Sequence, residues 1–398
     1  MTFFIGGPVD GDGTRVPDAQ TTYDPSDLTT HGVIVGMTGS GKTGLGIIYL
    51  EEALRNNIPT IVIDPKGDMT NLLLTFPNLS PQDFRPWIDE AAAAKDGKTP
   101  DDEAADEAAK WTKGLASWGL SGDEIGAMRV ESDMAIYTPG STAGIPLNVI
   151  GNLEVPDLSW ETEAEAMRDE IQSFVSGLLG LVDIAADPIS SREHILLSNL
   201  VEHSWRSGES IDIAKLIAQI TTPPMRKLGV FEVDTFFPEK DRVALAMKLN
   251  GLLASPSFAA WMEGEPLNIE SLLWRDGRAQ ASIVYIAHLT ESERQFIVTM
   301  LLSKVITWMR SQAGSSELRA LVYMDEVFGF VPPTAEPPSK RPILTLMKQA
   351  RAFGVGLLLS TQNPVDLDYK AMSNAGTWCI GRLQTERDKA RTMEALTS

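Results

Sequence analysis

A single cysteine, Cys379, stands in 398 residues, so no disulfide can close within the chain, as suits a reducing compartment. The four histidines (His31, His194, His203 and His288) are dispersed with no cysteine beside them, which argues against a structural zinc site. No apolar run reaches the roughly 18 residues of a membrane span; the stretch SFVSGLLGLVDIAA is broken by Gly177, Gly180 and Asp183. The opening residues MTFFIGGPVDGDG carry no basic start and no long apolar core, so no secretory signal is expected and a cytoplasmic location is. Positive charge is also scarce. Lys and Arg total 34 against 54 Asp and Glu, a net charge of −20, which disfavours indiscriminate attachment to nucleic acid.

That deficit is uneven. SPQDFRPWIDEAAAAKDGKTPDDEAADEAAK, from Ser80 to Lys110, is acidic and alanine-rich, whereas Lys340 to Arg391 holds Lys340, Arg341, Lys348, Arg351, Lys370, Arg382, Arg387, Lys389 and Arg391 against few acids. A local basic face on an acidic molecule is therefore expected near the C-terminal end. The overall proportions, 43 % hydrophobic and 22 % charged, are those of a folded globular chain, and length alone favours two to three domains.

Residues 1–30 are rich in Gly, Pro, Asp and Thr and read as an irregular lead-in. The apolar runs GVIVG (Gly32–Gly36), TIVID (Thr60–Asp64), MAIYT (Met134–Thr138), SIVYI (Ser282–Ile286), LRALVYM (Leu318–Met324), GVGLLLS (Gly354–Ser360) and Thr377–Ile380 read as buried strands. Helical patterns alternate with them, which predicts an α/β fold with a mostly parallel sheet. From Trp160 to Trp274 nearly everything reads as helix; Met167, Ile171, Phe174, Val175, Leu178 and Leu179 mark the first apolar face. Trp87, Trp111 and Trp118 are expected in a core. Asp183 and Asp187 are expected to face solvent, and Thr290 with Glu293 forms a capping-box pattern at a helix start.

The chemistry concentrates in three places. GMTGSGKT, Gly36–Thr43, fits the phosphate-binding loop pattern and lies between a strand and a helix. Its glycines let successive N–H groups of Thr38, Gly39, Ser40, Gly41, Lys42, Thr43 and Gly44 face phosphate oxygens at a helix N-terminus. Lys42 reaches the β- and γ-phosphates, and the Thr43 hydroxyl ligates Mg²⁺. LVYMDE, Leu321–Glu326, ends an apolar strand with two carboxylates: Asp325 suits the Mg²⁺ shell, and Glu326 suits a general base that polarises the attacking water. STQNP, Ser360–Pro364, puts Thr361 and Gln362 at another strand tip, where an amide can sense the γ-phosphate or orient water.

With IDPKGD at Ile63–Asp68 and KQARAFGVGLLLSTQNP at Lys348–Pro364, this set resembles the HerA–FtsK superfamily of ring-forming ATPases, and within it the HerA-like ATP-binding proteins. The resemblance covers about Leu28 to Asp68 and Ala281 to Arg391. It implies a RecA-like P-loop core, ATP and Mg²⁺ as cofactors, a homo-oligomeric hexameric ring, and double-stranded DNA moving through the channel. It matches Gly36–Thr43 to Walker A, Asp325 and Glu326 to Walker B, and Gln362 to the sensor, and leaves Asp64 and Lys66 without a role. The residues before the P-loop are too few for the N-terminal β-barrel of HerA itself. Such rings complete each site with a neighbour's arginine; Arg382 is the first candidate and Arg351 the second.

The expected organisation is a first part of the RecA-like core over 1–155, with an acidic helical insertion at about 81–133. An all-helical insertion over 156–275 and the second part of the core over 276–398 follow. Two other functions fit the same motifs: a secretion-type ATPase that moves or docks protein, and a nucleotide-gated scaffold for a partner nuclease or other effector.

Overall fold

The computed structural model describes residues 2–150, 153–383 and 385–397. Its centre is one sheet. In chain order the long strands are β1 (Gly32–Val35), β2 (Thr60–Asp64), β3 (Ser132–Tyr137), β4 (Arg278–Tyr285), β5 (Ser315–Met324), β6 (Phe353–Thr361) and β7 (Thr377–Ile380). They lie side by side as β3–β4–β2–β5–β6–β1–β7, every neighbouring pair parallel. Trp274–Arg275 adds a short antiparallel hairpin onto β4. Runs such as GVIV and TIVID are buried at every residue, as parallel strands covered on both faces require.

Alternation along the strands gives the sheet two different faces. Val33, Val35, Ile61, Val322 and Leu357 join one apolar cluster, while Ile34, Val62, Tyr323 and Leu358 join another. The second face is covered by α1 (Lys42–Arg55), through Tyr49, Leu50 and Leu54. Acidic helices α2 (Pro100–Ala116) and α3 (Gly122–Glu131) follow, each opened by a capping box, Thr99 with Asp102 and Ser121 with Glu124.

The first face carries the helical block: α4 (Ala164–Leu181), α5 (Arg192–Arg206), α6 (Ile213–Thr221) and α7 (Glu239–Ala254). On α4, Met167, Ile171, Phe174, Val175, Leu178 and Leu179 are all buried, at the helical spacing of the sequence. They face α8 (Glu291–Arg310), which begins at the Thr290–Glu293 capping box. Gly177 lets the two helices approach, since a Cβ there would stand 2.8 Å from the Phe296 ring. The block and this sheet face form one continuous cluster. The later helix α9 (Lys340–Gln349) packs on α8.

Four expectations need correction. The lead-in is ordered: Phe3–Gly6 pairs antiparallel with Thr21–Tyr23, because Phe3 is buried against Tyr49 and the Phe4 N–H donates to Glu52 Oε2 at 2.7 Å. Inside 156–275 the chain also forms a two-residue hairpin, Lys227–Leu228 with Phe231–Glu232, turned at Gly229 with φ 60°, so the block is not helix throughout. Trp87 and Trp111 are 63 % and 52 % exposed rather than core: the short turn Arg85–Trp87 buries none of its residues, and α2, which carries Trp111, buries only small Ala104 and Ala108; Trp118 instead lies under the Arg15 guanidinium.

The C-terminal cations do not gather into one face. Lys340 is buried between Glu336 and Asp368, Arg341 pairs with Asp169, and Lys389 with Glu386. Lys348 and Arg351 line an open cavity of about 910 Å³ with Arg310 and Asp27, and the Arg391 side chain lies outside the described residues. Asp183 and Asp187 are exposed as expected. Among the described residues no helix is long and apolar enough to cross a membrane.

Candidate nucleotide site

Parallel strands bring their C-terminal ends to one edge of the sheet, and loops leaving that edge build the site. The loop from Gly36 to Gly41 is slung between two later strands. The Gly36 N–H donates to Thr361 O at 3.2 Å, the Met37 N–H to Arg382 O at 2.8 Å, and the Gly381 N–H to Val35 O at 2.7 Å. Gly39 and Gly41 hold φ of 78° and 88°, left-handed values that glycine adopts without steric cost. The first bond inside α1 runs from the Leu45 N–H to Gly41 O at 2.9 Å. The N–H groups of Lys42, Thr43 and Gly44 therefore leave the helix start with no intrahelical partner. Ser40 Oγ is buried with no hydrogen-bond partner. Free amides, an unpaired hydroxyl and a helix N-terminus fit a phosphate chain.

Opposite the loop stand the strand-end acids. The Asp325 N–H donates to Ile63 O at 3.0 Å, and its carboxylate accepts from the Tyr323 hydroxyl at 3.2 Å. Burial, reinforced by the adjacent Glu326 carboxylate, pushes the Asp325 carboxyl up to about 6. Glu326 sits at φ 42°, in left-handed backbone, a conformation that costs a non-glycine residue on the order of 1–3 kcal/mol. Its Oε1 takes the Gln362 Nε2 donor at 2.7 Å, with Lys66 Nζ at 3.1 Å and Lys42 Nζ at 3.8 Å. Gln362 Oε1 in turn accepts from the Thr38 hydroxyl at 2.9 Å. Burial lowers the Lys42 ammonium from its ordinary range.

Lys42, Glu326, Gln362 and Thr38 are thus joined by contacts, with Asp325 adjacent in the chain and Thr43 next to Lys42 on the opening turn of α1. The same contacts reveal Lys66, whose role the sequence left open. Asp64 has a clear one: its carboxylate accepts from the N–H groups of Lys66 at 3.2 Å, Gly67 at 2.6 Å and Met69 at 3.0 Å. That buried carboxylate folds the loop which carries Lys66 to Glu326. Burial raises the Asp64 carboxyl and the three N–H donors oppose the rise.

Arg382 is exposed and its carbonyl is bound to the P-loop of its own subunit. Arg351 precedes β6, a strand of 9 residues that runs towards the P-loop, so it lies about 30 Å from its own site. Among the described residues no three His, Cys, Asp or Glu side chains form a metal cluster. A Mg²⁺ would accordingly rest on Asp325, Thr43 and the phosphates it accompanies, the usual arrangement for a cation that keeps few protein ligands.

The family described as Helicase HerA, central domain, matches residues 4–305. Among solved structures, VirB4 of Thermoanaerobacter pseudethanolicus superposes with a TM-score of 0.54 at 13 % identity, over 99 % of this chain and 87 % of that one. The plasmid coupling protein TrwB in complex with ADP and Mg²⁺ gives 0.46 at 12 % identity, over 99 % and 77 %. At such identity the likeness to VirB4 is one of fold. No curated protein sequence matches.

Proposed function

The chain belongs to the HerA helicase central-domain family, and on that premise we propose that it is a Mg²⁺-dependent ATPase whose subunits form a hexameric ring and translocate double-stranded DNA. One observation carries the catalytic part: Glu326, on the strand-end acid pair, meets Lys42 and Gln362 beside a helix start whose Lys42, Thr43 and Gly44 amides have no intrahelical partner. The amides of Gly39 to Gly44 bind and orient the triphosphate, and Lys42 leaves Glu326 for the β- and γ-phosphates. Asp325 and the Thr43 hydroxyl hold Mg²⁺, which supplies charge neutralisation at the phosphates. Glu326 takes the proton from the attacking water, and Gln362, tied to Thr38 on the loop, aligns that water. Arg382, on the exposed rim of the site, is the first candidate for the arginine that completes a neighbour's site in the ring and stabilises charge on the transferred phosphoryl.

The test is phosphate release by the wild type and Glu326→Gln, with and without duplex DNA. The reading requires turnover in the wild type, about a hundredfold loss in the variant, and stimulation by the duplex. Equal turnover in the two proteins refutes the role of Glu326, and indifference to DNA refutes that cargo. A specific observation favours a second cargo, polypeptide: the net charge is −20, and Lys340, Arg341 and Lys389 are neutralised by their own acids. Channel cross-linking to protein but not to DNA would select it. A slow enzyme whose oligomer mass changes with ATP would instead be a scaffold for an effector such as a nuclease.

A further inference from the structure

Glu326 Oε1 is the meeting point of two ammonium groups, and the reaction needs only one of them. Lys42 must turn to the phosphates, and its 3.8 Å separation from Glu326 is the longer of the two. Lys66 stands closer, at 3.1 Å, and comes from the far side, on the loop organised by Asp64. The environment it faces is strongly anionic. Glu326 is 13 % exposed, lies next to the buried Asp325, and would sit beside a triphosphate that has taken Lys42 away. With Lys42 drawn to the phosphates, the Lys66 ammonium is the cation left in contact with that carboxylate to fix its direction.

We propose that Lys66 is the positioning residue of the catalytic glutamate, the cation that holds the Glu326 carboxylate in place and aimed at water once Lys42 has moved to the nucleotide. The inference rests on the ATPase reading above and adds a residue to it. Lys66 acts through Glu326 and not on the phosphates, so its loss lowers kcat and spares nucleotide affinity. Its side chain is 44 % exposed, so replacement leaves the core intact. The loop's attachment to the sheet is independent of that side chain: it depends on the Asp64 carboxylate and on Gly67, which packs against the Tyr285 ring.

The experiment is a double-mutant cycle on the full chain with Mg·ATP, using Lys66→Met, Lys66→Arg, Glu326→Gln and the combination of Lys66→Met with Glu326→Gln. Lys66→Met is expected to lower kcat about tenfold or more with KM and the Kd for ATP within about twofold. Lys66→Arg is expected to restore most of the rate, and Lys66→Met to change nothing further in the Glu326→Gln background. Unchanged kcat in Lys66→Met overturns the proposal. So does the same fold loss in both backgrounds, or a loss carried by KM, since either makes Lys66 a phosphate ligand. Equal turnover of wild type and Glu326→Gln would be a different failure, that of the ATPase reading itself, and would remove the ground of the proposal with it.

Discussion

Lowering the pH from 7 towards 4 is expected to weaken the fold through His31, the residue at the foot of β1. The ring is 1 % exposed, and its Nδ1 accepts the Leu357 N–H at 3.2 Å, which couples the start of β1 to β6. Burial holds its proton affinity down, to about 4 from an ordinary 6.5. A base depressed in the native state is neutral there and charged in the unfolded chain, so it contributes full stability above pH 6.5 and loses it as the pH falls to 4. The difference amounts to about 3 kcal/mol, or roughly 4 °C in Tm for a chain of this size. His31→Gln keeps an acceptor and cannot titrate. Thermal unfolding of both proteins, followed by circular dichroism at several pH values between 4 and 7, isolates the effect because every other titrating group is common to the pair. The wild type should lose its stability relative to the variant across that window. Parallel curves would refute the assignment of a neutral buried imidazole.

Three further expectations concern the site and its supports. A methyl at Gly46 would stand 2.5 Å from the Tyr323 hydroxyl and 2.7 Å from its ring; Gly46→Ala should cost about 1–3 kcal/mol in denaturant unfolding and weaken Mg·ATP binding by moving the hydroxyl that holds Asp325. Lys340→Met leaves Asp368 and the Ala335 carbonyl without the buried ammonium 2.9 and 3.1 Å away, and a loss of about 2–3 kcal/mol in the same assay is expected. Mixing Arg382→Ala with Glu326→Gln subunits tests where the arginine acts: action at a neighbour's site predicts recovery of turnover, and no recovery would refute that placement.

The P-loop was legible because its information is local. A strand, a glycine-rich bend and a helix lie within Gly32–Arg55, and their physics depends on little else. The strand-end position of Asp325 and Glu326 was legible because an apolar run closing on two acids marks where a buried strand meets solvent. Lys66 was not, since its partner lies at position 326 and only the sheet order brings β2 next to β5. The basic stretch misled for the same reason. Lys340 and Asp368 are 2.9 Å apart in the fold, yet a residue count cannot tell a neutralised cation from a free one. The exposed Trp87 and Trp111 escaped because an aromatic residue signals burial only when its helix has a partner to bury it against.

The placement of β1 also dictates when the protein can first work. In the sheet this strand has only β6 and β7 as neighbours, so the nascent chain carries its phosphate loop unsupported until Thr361 has left the ribosome, on the order of tens of seconds later. Throughout that interval GVIV is an apolar segment without a mate, exposed to chaperones and to mispairing. Fragments ending before residue 353 should consequently be unable to retain nucleotide, however intact their glycine-rich bend. Ligand capture thereby reports that synthesis has run nearly to its end.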